Sequence, residues 1–131
     1  MKLLNLLLAP GLVLAVSLVA NAEAGDTPLV EAADAFVRAI AAGELEEAIA
    51  SMTAANQAVV SESGLAMLRN NTGMAQLLDL DWHQSLVDKP FAEVHGQIRR
   101  RDGAVMRTVV YLEQVDGDWQ VNGIDVSDPQ P

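Results

Sequence analysis

The sequence predicts an α+β fold, helices first and an antiparallel meander second. Three observations carry that prediction. Leu29, Ala33, Phe36, Val37 and Ile40 recur at helical spacing. Two Asp-Gly pairs, Asp102-Gly103 and Asp116-Gly117, separate β-rich runs in the second half. Between these regions the composition shifts from alanine-rich to β-branched. Helices and strands segregated along the chain belong to the α+β class, with N-terminal helices packed on one face of a bent antiparallel sheet.

Ahead of these elements stands a different kind of segment. Met1-Lys2 supplies a positive charge, and Leu3 to Val19 is an almost unbroken apolar run. Ala20-Asn21-Ala22 and Ala22-Glu23-Ala24 are overlapping small-x-small sites. This is the layout of a secretory signal peptide over residues 1–24, cut after Ala22 or Ala24. The protein is therefore expected to be exported, periplasmic or secreted. Pro10-Gly11 in mid-run argues against a permanent anchor, so membrane contact is expected only if the signal stays uncleaved. Residues 25–127 are then expected to form one domain, with residues 128–131 as a tail. About a hundred residues suffice for one hydrophobic core and not for two.

Composition removes several function classes. The chain has no cysteine, which excludes disulfides, thiolate metal sites and a cysteine nucleophile. Its formal net charge of −10 disfavours nucleic acid and anionic membrane surfaces as partners. There is no Gly-rich phosphate loop, no G-x-S-x-G and no H-E-x-x-H, and no cofactor is expected.

Thr27-Pro28 suits a helix start, a capping residue followed by a proline at the first turn. Gly43 suits its end. A second short helix carries Leu45, Ala48, Ile49 and Met52 inward, with Glu44, Glu46 and Glu47 at its positive end. Ala54 to Val60 suggests another helical turn or two. Ser61 or Ser63 suits the cap of a helix through Leu65 and Leu68 that stops near Asn70 to Gly73. Met74 to Leu78 reads equally as more helix or as the start of a strand. Strands follow at Phe91 to Arg101, Ala104 to Val115 and Asp118 to Val126, joined by two-residue turns at the Asp-Gly pairs.

A two-residue turn at Asp102-Gly103 would pair Arg101 with Ala104, Arg99 with Met106, Gln97 with Thr108, His95 with Val110 and Glu93 with Leu112. The second turn would pair Gln114 with Trp119 and Leu112 with Val121. One face then collects Met106, Thr108, Val110, Leu112, Trp119 and Val121 with His95 and Gln97, and is expected under the helices. The other carries Val94, Ile98, Val105, Val109, Tyr111 and Ile124. That apolar outer face is expected to meet a partner, most simply a second copy of the chain. A one-residue slip or a bulge, for which Gly123-Ile124 is a candidate, would exchange the faces.

Two motifs carry a family resemblance. Ala41-Ala42-Gly43-Glu44-Leu45-Glu46-Glu47-Ala48 closes one helix and opens the next, and Asp116-Gly117-Asp118-Trp119-Gln120-Val121-Asn122-Gly123-Ile124 closes the meander. The chain from Thr27 to Val126 resembles the nuclear-transport-factor-2-like superfamily. The resemblance implies a cystatin-like cone, with helices in the concave face of a bent sheet. It implies no single activity, because the superfamily holds isomerases, cyclases and dehydratases beside pure binding domains. Its steroid isomerases place a Tyr and two acids inside the cone. Here Tyr111 is expected on the outer face, so no catalytic residue is carried over.

Residues with chemical potential remain. His95, with Glu93 beside it, is the candidate for proton transfer in an apolar cone. His95, Gln97, Val110, Leu112, Trp119 and Val121 are the candidate pocket. Asp79, Asp81 and His83 alternate with Leu78, Leu80 and Trp82, so they are the candidate metal ligands, against the plainer reading of a solvated strand face. Arg99, Arg100, Arg101 and Arg107 form the basic cluster near the first hairpin tip, suited to an anion or to keeping strand edges apart. Two functions follow: a binding module for a small apolar ligand or a protein partner, or a proton-transfer enzyme using His95.

Overall fold

The computed structural model describes residues 27–128. The expected signal segment and residues 129–131 of the tail lie outside the described residues. Helix α1 (Thr27–Ala42) is followed by α2 (Leu45–Ala50), α3 (Ala54–Gln57) and α4 (Glu62–Thr72). A 3-10 turn, Met74–Gln76, leads into strands β1 (Leu77–Asp88), β2 (Phe91–Arg100), β3 (Val105–Val115) and β4 (Asp118–Ser127). The strands form one antiparallel sheet in the order β1-β2-β3-β4. The α+β expectation holds, helices first and meander second.

The helix ends follow from local chemistry. Glu44 N–H donates to Ala39 O at 2.8 Å and Gly43 N–H to Ile40 O at 3.0 Å, with Gly43 at φ 82°. These two bonds satisfy carbonyls that the end of α1 would otherwise leave unpaired. Ser61, rather than Ser63, caps α4, its Oγ accepting from Gly64 N–H at 3.0 Å.

Helix α1 lies across the sheet and touches all four strands. Its apolar stripe, Leu29, Ala33, Phe36, Val37 and Ile40, is fully buried. Beneath it lie Ala92, Val94, Ile98, Met106, Val110, Leu112 and Val121, also buried. Each large apolar side chain so buried contributes on the order of 1.5–3 kcal/mol.

The register of the first hairpin differs from expectation by one residue. Val94 faces Val110, His95 faces Val109, and Gln97 faces Arg107. The loop has three residues, closed by Arg100 N–H on Ala104 O at 2.9 Å. Only Gly103 has positive φ there, at 91°. A two-residue turn of the mirror type needs positive φ at both positions. Asp116-Gly117 meets that need, with φ 52° and 85°, and closes the second hairpin as expected, Val115 opposite Asp118. Packing explains the choice. The observed register sends Ala92, Val94 and Ile98 inward and Glu93, His95 and Gln97 outward. The expected one would have buried three polar side chains.

Bulges bend the sheet. In β4 the register shifts between Tyr111 and Leu112, leaving Asn122 as the extra residue, next to the expected Gly123-Ile124. The shift sends Ile124 inward opposite Val110. Asn122 ties the bulge to the helices. Its Oδ1 accepts from Thr53 Oγ1 at 3.2 Å and Asn56 Nδ2 at 3.1 Å. At the edge of β4, Met52 forms an isolated parallel bridge to Val121. In β1 a shift between Trp82 and Gln84 displaces His83. Trp82 lies opposite Gly96, where an added Cβ would stand 2.6 Å from the indole Cε3. That space lets the indole reach α1, where Nε1–H donates to Asp34 Oδ1 at 2.9 Å.

Candidate functional site

The centre of the sheet's inner face is packed beneath the helices, while Val87 at its β1 end is 44 % exposed. Val110, Leu112 and Val121 are at most 1 % exposed and belong to the core under α1. Trp119 packs partly buried against the same core. Of the expected pocket, these four residues do share the inner face, but as filling. His95 and Gln97 do not join them. The one-residue register difference puts both on the opposite side of the sheet, so His95 is not enclosed in an apolar cone.

The outer face therefore carries the chemistry. Along β2 it presents Phe91, Glu93, His95, Gln97 and Arg99, paired with Glu113, Tyr111, Val109, Arg107 and Val105 of β3. From β1 it takes Asp79, Asp81, Gln84, Leu86 and Asp88, and from β4 Gln120, Asp125 and Ser127. Val105, Val109 and Tyr111 stand on the outer face as expected, while Val94, Ile98 and Ile124 turn inward.

Two polar pairs sit near its centre. His95 Nε2 and Glu93 Oε1 are hydrogen-bonded at 2.9 Å, with side chains 28 % and 43 % exposed. Tyr111 O–H donates to Asp125 Oδ2 at 2.8 Å. That bond holds the phenol in its protonated form, so its pKa is raised above the ordinary tyrosine value, with desolvation and the negative charges of Asp125 and Glu93 acting the same way. A depression of about 430 Å³ touches His83, Gln84, His95, Arg107, Val109, Asp125 and Ser127. A second, of about 400 Å³, touches Leu86, Phe91, Glu93, Tyr111 and Asn122, and reaches Val87, Ala92 and Leu112 between them. Phe91 and Leu86 are 52 % and 47 % exposed there.

The candidate metal ligands do not converge. Asp79 and Asp81 pair with Arg99 and Gln97 on the outer face, while the β1 bulge puts Gln84, not His83, opposite His95. Among the described residues no three His, Asp or Glu side chains gather as a metal site requires. The basic cluster divides. Arg100 pairs with the Asp102 carboxylate and donates from Nη1 to Thr72 O at 2.8 Å, tying the hairpin to the end of α4. Asp102 is held at about 2 by that guanidinium and by Ala104 N–H. Arg99 and Arg107 remain exposed on the outer face.

Sequence reasoning passed over the partnership of Tyr111 with Asp125. The signal was present in β2, where Ala92, Val94 and Ile98 alternate with Glu93, His95, Gln97 and Arg99. Taken as the guide to register, that alternation places Tyr111, Glu93 and His95 on one face.

No protein-family model matches the chain, and no curated protein matches it. Among solved structures, the chain is similar to an NTF-2 like protein of unknown function from Shewanella oneidensis MR-1. The TM-score is 0.53 at 17% sequence identity, over 79% of this chain and 99% of that one. The fold is NTF2-like, as the helix-end and closing-strand motifs implied.

Proposed function

We propose that this is an exported binding domain that works through the outer face of its sheet rather than through an internal pocket. The observation that carries the reading is the contrast between the two faces. The centre of the inner face is core, with Val110, Leu112 and Val121 buried together with Phe36 and Ile40. The outer face offers exposed Phe91 and Leu86, half-buried Val105, Val109 and Tyr111, and two open depressions. An antiparallel sheet with one wet face ordinarily presents a cleaner polar pattern there. Apolar side chains gathered on an open surface and rimmed by charge mark an interaction site.

The proton-transfer alternative rested on an imidazole enclosed among apolar side chains. His95 stands on the open face instead, bonded to Glu93, and that alternative loses the enclosure it required. For storage of a small apolar ligand, the expected lining residues Val110, Leu112 and Val121 are at most 1 % exposed and serve as core.

Native mass spectrometry of the protein taken from its host's exported fraction tests the reading. The expected result is an assembly with a protein partner or a second copy, which Phe91→Ser with Leu86→Ser disrupts. A monomer that retains a small molecule would overturn it.

A further inference from the structure

We propose that the free edge of β1, at residues 84–88, takes up an extended basic segment of another polypeptide as a fifth strand. This strand addition uses the edge of the sheet and is independent of the outer-face reading.

The two edges of the sheet are finished differently. At β4 the chain closes its own edge. Val121 N–H donates to Ser51 O at 3.0 Å, and Thr53 N–H donates to Val121 O at 2.9 Å. At β1 nothing comparable is present among the described residues, and the backbone of Leu77–Asp88 bonds only within its ladder to β2.

The neighbouring bonds identify the groups left over. Arg100 N–H donates to Ala104 O at 2.9 Å, and Gln114 N–H donates to Pro90 O at 2.7 Å. Even-numbered residues of β2 therefore turn their backbone groups toward β3. Direction alternates along an antiparallel strand, so Phe91 and Glu93 turn theirs toward Asp88 and Leu86 of β1. Ser85 and Val87 then aim their N–H and C=O groups at the open side. Unpaired strand groups of this kind are a template for another strand. The register shifts at Leu77/Asp79 and Trp82/Gln84 interrupt the earlier part of the edge, which leaves residues 84–88 as the regular stretch.

The side chains of β1 describe the occupant. Of six large apolar side chains exposed among the described residues, Leu78, Leu86 and Val87 belong to this one strand. Its acids are Asp79, Asp81 and Asp88, it has no Lys or Arg, and none of the three acids forms an ion pair. Glu93, opposite Leu86, adds a fourth negative charge. Arg99 opposite Asp79 and Lys89 in the following turn offset only part of this. An antiparallel strand beside residues 84–88 is best served by Lys or Arg opposite Asp88 and an apolar residue opposite Leu86, since directly opposed side chains decide strand pairing. A second copy of β1 would bring three more aspartates to the same seam, so charge selects a basic segment of a different chain. In strand addition the main-chain bonds supply affinity and the alternate side chains supply specificity.

Amide hydrogen exchange on the protein with an end-capped peptide, Lys-Val-Leu-Thr-Gln-Thr-Lys, tests the proposal. Exchange at the Ser85 and Val87 amides is expected to slow at least about tenfold, and the β3 amides are expected to be unchanged. The same peptide with Glu in place of Lys is expected to have no effect. Val87→Pro removes an edge donor without removing a bond to β2, a change that an edge strand tolerates. It is expected to keep the urea transition of the parent and to lose the Lys peptide. Asp81→Lys with Asp88→Lys is expected to exchange the preference, losing the Lys peptide and taking the Glu peptide, which misfolding cannot imitate. Equal slowing by both peptides, or none by the Lys peptide, would overturn the proposal. So would Ser85 and Val87 amides that are already slow in the protein alone, because the edge would then be covered without a basic partner.

Discussion

Tyr111 is the single tyrosine of the chain, and its hydroxyl is bonded to Asp125 across the β3–β4 pair. The raised pKa has a direction that can be worked through. A phenol whose folded-state pKa lies above its unfolded value stabilises the fold below the unfolded pKa, and that contribution is lost as pH rises through the folded value. One tyrosine gives one phenolate absorbance transition. Its midpoint is expected above that of free tyrosine and is expected to move back toward it in Asp125→Ala; an unmoved midpoint would mean that Asp125 does not hold the proton. Asp102 behaves in the opposite sense. Its carboxyl is lowered to about 2, so its bond to Arg100 contributes above the unfolded value and fades as pH falls from about 4 toward 2. Both effects belong to single side chains and depend on a register that the residues alone do not reveal.

Hairpin loops decide how much of this molecule was legible at the level of elements. Helix α1, its Gly43 terminus, the Asp116-Gly117 turn and the existence of all three later strands follow from periodicity and turn chemistry. The first hairpin does not, because Asp-Gly closes either a two-residue loop or a three-residue loop with glycine in the left-handed region. Choosing the shorter loop moved every β2 side chain to the wrong face, including His95, Gln97, Val94 and Ile98. The β3 residues and Trp119 and Val121 of β4 kept their faces, since core packing of Val110, Leu112 and Val121 agreed with the second turn, while the bulge at Asn122 turned Ile124 inward. Bulges at Asn122 and His83 lay beyond the periodicity argument, as an inserted residue breaks the period-two rule it relies on. Deleting Arg101 leaves Asp102-Gly103 as a two-residue loop between Arg100 and Ala104 and so keeps the observed pairs in register. The variant is expected to retain cooperative urea unfolding. A lost transition would show that the three-residue loop itself, and not the pairing of Arg100 with Ala104, sets the register.

At the scale of the whole molecule, the helix layer and the sheet share one core, and the two sheet faces have different duties. Phe36 is 1 % exposed under the sheet, whereas Phe91 is 52 % exposed on its far side. Phe36→Ala is expected to cost about 3–5 kcal/mol of folding stability, as large-to-small changes of buried aromatics do. Phe91→Ala is expected within about 0.5 kcal/mol in the monomer, the ordinary range for surface changes. Chemical denaturation of the two variants side by side checks this, and equal losses would contradict the division of the faces. The fold class was legible because segregated helices and strands have few ways to pack. The working surface was not, because it depended on one loop residue. A last consequence concerns Trp82, whose indole fills the space over Gly96 and bonds to Asp34 of α1. The chain has two tryptophans, and Trp119 sits beside the second hairpin, opposite Gln114. Each fluorophore therefore watches a different joint. With Trp119 replaced by Phe, the remaining emission reports α1 lifting from the sheet; with Trp82 replaced by Phe, it reports the last hairpin fraying. The protein thus carries a built-in pair of optical gauges for the order in which its two layers come apart.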